Sequence, residues 1–110
     1  MRHDSYTSHP ACPIEAITDI IGGKWVGVII FHLIEGTKRY SVLQKNIPNI
    51  SPRMLTKQLK ELESSGIVIR ECFPTVPPTV EYSLSEMGKE FIPLFESMKI
   101  LGESYLDTKK

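Results

Sequence analysis

A mostly helical α+β fold is predicted by three features of this 110-residue sequence. Apolar residues recur at helical spacing in five segments, bounded by glycine, proline or a capping hydroxyl. Two runs rich in β-branched residues, 67–73 and 80–84, lie between the fourth and fifth of these segments, joined by a proline-rich loop. The third and fourth helical segments are separated only by Ile47-Pro48-Asn49-Ile50, a break too short for anything but a tight turn.

In chain order, residues 1–11 are polar and read as a flexible arm, residues 12–107 as one domain, and 108–110 as a tail. Pro13 suits a first helical turn, where its missing N–H costs nothing, which places Cys12 at the N-cap. Ile14, Ala16, Ile17, Ile20 and Ile21 follow, and Gly22-Gly23 stops this helix. The next helix, residues 24–35, is apolar nearly all round and is expected at the buried centre. After Gly36, residues 37–40 can extend, and Ser41 is the expected N-cap of a short helix reaching Asn46.

Ser51-Pro52 is a strong helix start, a capping hydroxyl followed by proline. That fourth helix should reach about Ser65, with Gly66 in the left-handed position beyond it. Leu55, Leu59 and Leu62 share its core face, opposite Arg53, Lys57, Lys60 and Ser64, with Thr56 flanking. The hairpin follows, and Ser85 caps a last helix over residues 86–107, kinked at Pro93. Met87, Phe91, Leu94, Met98, Leu101 and Tyr105 form a heptad-like stripe along it. Two short helices about a turn, a hairpin and flanking helices describe a winged helix-turn-helix.

The composition bounds what such a fold can do. Acidic and basic residues number 13 each, so overall charge draws the protein to no polyanion. Between Glu35 and Glu61, however, there is no acid, while Lys38, Arg39, Lys45, Arg53, Lys57 and Lys60 all fall there. A clustered patch of this kind on a helix-turn-helix points to double-stranded DNA. Ser51, Arg53, Thr56, Lys57 and Lys60 form the candidate reading surface on the second helix of the motif. Arg53 is suited to a bidentate contact with guanine; Lys38, Arg39 and Lys45 are suited to phosphates. The same lysines could instead be a solvated face, or the patch could dock an acidic protein, as in a winged-helix adaptor.

No apolar run approaches a membrane span, and the N-terminus lacks a signal-peptide layout. Two cysteines without CxxC spacing argue against a disulfide scaffold or a metal site, and the expected location is cytoplasmic. His3, His9 and His32 are scattered, so no metal or cofactor is expected. With no histidine in a motif and no glycine-rich phosphate loop, nothing recommends an enzyme.

Several blocks resemble the HxlR-type winged-helix transcriptional regulators of the MarR-like superfamily. They are Cys12-Pro13-Ile14-Glu15, Ile21-Gly22-Gly23-Lys24-Trp25, Arg39-Tyr40, Ile47-Pro48-Asn49-Ile50-Ser51, Arg53-Met54-Leu55-Thr56, Leu59-Lys60-Glu61-Leu62-Glu63, Val76-Pro77-Pro78 and Val80-Glu81-Tyr82-Ser83-Leu84. The resemblance implies a homodimer bound to operator DNA, usually a repressor, joined through the first and last helices. On this chain that contact would use Ile14, Ile17, Phe91, Phe95, Met98, Leu101 and Tyr105. The family's wing commonly carries lysine where Thr79 stands, so phosphate contacts from Thr75 and Thr79 would rely on hydroxyls and backbone. Some members sense quinones, aldehydes or oxidants through the cysteine equivalent to Cys12. A thiol at a helix N-terminus is a reasonable site for a small reactive inducer; an inert small cap is the plain alternative. Cys72, in the first wing strand, is expected to pack as a small hydrophobe.

Overall fold

The computed structural model describes residues 12–109. The arm expected at residues 1–11, with His3 and His9, lies outside the described residues. Helix α1 (Pro13–Ile21) has proline in its first turn and an extended Cys12 as N-cap. Ile17, Ile20 and Ile21 pack partly on the core, whereas Ile14 is 70% exposed. Helix α2 (Val26–Ile34) buries Val26, Ile29, Ile30 and Leu33. Its apolar composition predicts burial all round, but Val28 and Phe31 stand 40% and 41% exposed, because this domain covers only one side of the helix.

Strand β1 (Lys38–Arg39) leads directly into α3 (Tyr40–Asn46). The N-cap is therefore Arg39 rather than the expected Ser41, which lies inside the helix. Pairing of β1 with the hairpin holds Arg39 extended, so helical geometry begins at the next residue. The turn that follows buries Ile47 and Ile50, and Asn49 takes φ +70°, a conformation asparagine tolerates better than most residues.

Helix α4 (Pro52–Ser64) starts where Ser51 Oγ accepts a 3.0 Å hydrogen bond from Met54 N. Gly66, at φ +79°, turns the chain away beyond its end. Leu55, Leu59 and Leu62 are buried, as the wheel predicts, and meet α2, Leu43 and Ile47 in one core.

Strands β2 (Val68–Phe73) and β3 (Thr79–Leu84) form the wing, and the antiparallel sheet runs β1-β3-β2. Val68, Tyr82 and Leu84 join the core, while the outer part of β2 projects past it. Cys72 is consequently exposed rather than packed, a correction to the sequence expectation.

The last helical segment is two helices, α5 (Glu86–Lys89) and α6 (Ile92–Thr108), not one kinked helix. Pro93 has no N–H for a carbonyl four residues back, so it lies in the first turn of a new helix, where nothing is lost. Phe91 and Phe95 turn inward, 4% and 5% exposed, with ring centroids 6.4 Å apart. They belong to the domain's own core, not to an open dimer face as expected. Beyond them Met98, Ile100, Leu101, Tyr105 and Leu106 stay exposed. No single helix among the described residues is long and apolar enough to cross a membrane.

Candidate nucleic-acid interface

Burying Leu55, Leu59 and Leu62 turns the opposite side of α4 outward, leaving Arg53, Thr56, Lys57 and Lys60 exposed. Ser51, as N-cap, also lies on the surface, but its oxygen already accepts from Met54 N. The α4 dipole adds positive potential to this end, although Pro52 has no N–H and the amides of Met54 and Leu55 are already bonded to Ser51.

Two side chains set α4 relative to α3. Gln44 Nε2 donates to Ile50 O at 2.7 Å, bracing the turn from within. Tyr40, at the start of α3, reaches across so that its hydroxyl lies 3.0 Å from Pro52 O and 3.0 Å from Thr56 Oγ1. Arg39, Tyr40, Ser41, Thr56, Lys60 and one acid, Glu63, then line one wall of a groove of about 760 Å³. Arg70, Pro77, Pro78, Thr79, Val80 and Tyr82 line the wing side.

The six cations of the acid-free window are not electrostatically alike once folded. Lys38 sits 3.2 Å from Glu35, and Lys57 sits 3.6 Å from Glu61, one turn along the helix. Arg39 is 3.9 Å from Glu81, its register partner across the sheet. Among the described residues, Lys45, Arg53 and Lys60 have no acidic partner. Lys57 and Glu61 are both exposed, while Lys38 and Glu81 are partly covered. An exposed pair is worth at most about 1 kcal/mol, so phosphate can displace it, and the three cations without a partner start at an advantage.

Arg70 escaped the sequence reading because it lies outside the acid-free window, beside Glu71. Its register partner is Tyr82, which shares the groove, and the strand alternation of a wing was the signal that could have found it. At the wing tip, Thr75 Oγ1 donates to Pro77 O at 2.7 Å and lies 3.3 Å from Thr79 Oγ1. The hydroxyl of Thr75 is thus engaged in holding the turn. Val76 beside it is almost fully exposed.

Cys12 is half-buried at the α1 N-cap, with no capping bond from its side chain. Lys24 places its ammonium 4.8 Å from the centroid of the Trp25 ring.

Residues 20–110 match the family model for HxlR-like helix-turn-helix proteins. The chain belongs to the HxlR-like helix-turn-helix family. It is thus a DNA-binding transcription regulator by descent, with the winged fold of that group. Among curated relatives of this HxlR-like protein is the HTH-type transcriptional regulator YdeP of Bacillus subtilis (strain 168). The two are 51% identical over 96 residues, which is 87% of this chain and 75% of the relative. YybR of the same organism is 48% identical over 106 residues, 96% of this chain and 85% of the relative. Among solved structures, the redox regulator HypR in its reduced form superposes with a TM-score of 0.83 at 49% identity, covering 87% of this chain and 95% of that one. The reduced form of YodB from B. subtilis gives 0.75 at 37% identity, covering 86% and 94%.

Proposed function

We propose that this HxlR-like protein is a homodimeric repressor that binds a palindromic operator in the cytoplasm. One observation carries the reading: the face of α4 opposite its leucines exposes Arg53 and Lys60, which have no ion-pair partner among the described residues, beside a groove bounded by the wing. In this reading α4 lies in the major groove and Arg53 reads a base, with Thr56 and Lys57 beside it. Lys38, Arg39, Lys45 and Lys60 bind phosphates and fix the register, with Arg70 added from the wing. Met98, Leu101 and Tyr105 on α6, with Ile14 on α1, supply the contact between protomers.

Cys12 is the proposed sensing thiol. It adds to an electrophilic carbon, its proton passing to the adduct. Alternatively, it is oxidised to a disulfide with a second protein thiol, two electrons and two protons passing to the oxidant. Its place on α1, at the proposed dimer contact, connects such a change to half-site spacing. The similarity to the redox regulator HypR supports this reading.

Selection of bound duplexes from a random pool tests both parts when repeated after oxidant treatment. The expected result is a palindrome-like motif with half-sites one or two helical turns apart. Oxidant should weaken its recovery with the natural chain but not with Cys12→Ser. Recovery without any motif would remove the operator reading, and equal recovery before and after oxidant would remove the sensor.

A further inference from the structure

The hydroxyl of Tyr40 carries one proton and has two neighbours, Pro52 O and Thr56 Oγ1, each at 3.0 Å. A carbonyl oxygen can only accept, so the phenolic proton goes to Pro52 O. The contact with Thr56 must then run the other way, from the threonine O–H to the tyrosine oxygen. Thr56 has no further proton to give. What its oxygen offers the groove is lone pairs.

The committed proton separates Thr56 from its neighbours on α4. Phosphate oxygens accept and cannot donate, so a threonine fixed in this way is unsuited to a phosphate contact. In the major groove it complements an exocyclic amino group, the N6 of adenine or the N4 of cytosine. It opposes the O6 and N7 of guanine and the O4 of thymine. Resting on the proposal that α4 reads DNA, we propose that Tyr40 makes Thr56 a one-way acceptor that selects an amino base over a keto base at one position of each half-site. Tyr40 is a positioning residue here: it touches no base and acts by fixing where the Thr56 proton points. Arg53, one turn earlier on the same helix, has donors only. The reading surface thus combines a donor for guanine with an acceptor for adenine or cytosine.

The test is selection of duplexes from a randomised pool by the full-length chain and three variants, with sequencing of the bound fraction. The natural protein should show one position per half-site where amino bases exceed keto bases by about tenfold. Thr56→Ser should keep that preference. Thr56→Val, which removes the oxygen from an exposed site, should reduce it to within about twofold. Tyr40→Phe should do the same, because the freed threonine hydroxyl can rotate to donate or accept. The positions read by Arg53 should persist throughout and serve as the control. A motif unchanged by both Thr56→Val and Tyr40→Phe overturns this inference while leaving the operator reading intact. A natural protein that selects no motif overturns both.

Discussion

Gln44 Nε2 donates a 2.7 Å hydrogen bond to Ile50 O, joining α3 to the last residue of the turn before the Ser51 cap. Gln44 Oε1 is buried and has no partner among the described residues, so the side chain is held by one bond only. Gln44→Ala leaves the Ile50 carbonyl without that donor and should cost about 1–2 kcal/mol. Urea unfolding followed by circular dichroism checks it, and a loss below about 0.3 kcal/mol would mean that water replaces the bond without penalty.

Gly88 gives a second structural prediction, at the junction between wing and α6. A Cβ there would fall on the carbonyl oxygen of Ile67 and lie 3.2 Å from Leu84 Cβ. Ser85 Oγ accepts from Gly88 N at 3.0 Å and donates to Gly66 O at 2.6 Å, so α5 has little room to retreat. Gly88→Ala should destabilise by about 2–3 kcal/mol or more. Gly102→Ala, where a Cβ meets nothing within 4 Å, should be neutral or slightly stabilising.

The exposed end of α6 predicts assembly. Leu101 is 71% exposed in the single chain, so Leu101→Glu should leave the melting temperature of a monomer unchanged. If α6 joins two protomers, the same charge must be buried unpaired, weakening dimerisation by about 100-fold. Sedimentation across a concentration series reads this directly. A dimer that tolerates the glutamate would place the contact elsewhere.

Lys45 lies near the end of α3 without an acidic partner among the described residues. Lys45→Ala should weaken all duplexes alike and lower the salt dependence of binding by about one counterion. Anisotropy titrations at several salt concentrations supply the slope. A loss confined to one sequence would instead make Lys45 a base reader.

Much of this was legible in the chain because local signals and core packing agree. Ser51-Pro52, Gly66 and the leucine spacing locate α4 to within a residue at each end. Pro93 predicts a kink but instead begins a new helix, since a proline near a helix start and one inside a helix look alike until the break at Glu90-Phe91 is known. The heptad-like spacing of Phe91, Leu94, Met98 and Leu101 likewise could not divide core from surface: α6 packs on the domain at its start and leaves it further along. At the candidate site, the acid-free window located the cations. It could not foresee Glu81, brought to Arg39 by strand pairing, or Arg70, brought into the groove by the wing. The contact of Tyr40 with Thr56 joins residues sixteen apart and exists only in the folded turn.

The central claim is that Arg53 on α4 reads operator sequence, and it is tested most directly by comparing two duplexes of equal length and composition. One carries the selected motif and the other a scrambled version, each titrated with the natural protein and with Arg53→Ala across a range of salt. The natural protein should prefer the motif, with affinity falling steeply as salt rises. Arg53→Ala should lose about 1–3 kcal/mol on the motif and much less on the scrambled duplex. Equal affinities of the natural protein and Arg53→Ala for the motif, or binding indifferent to salt, would contradict the account.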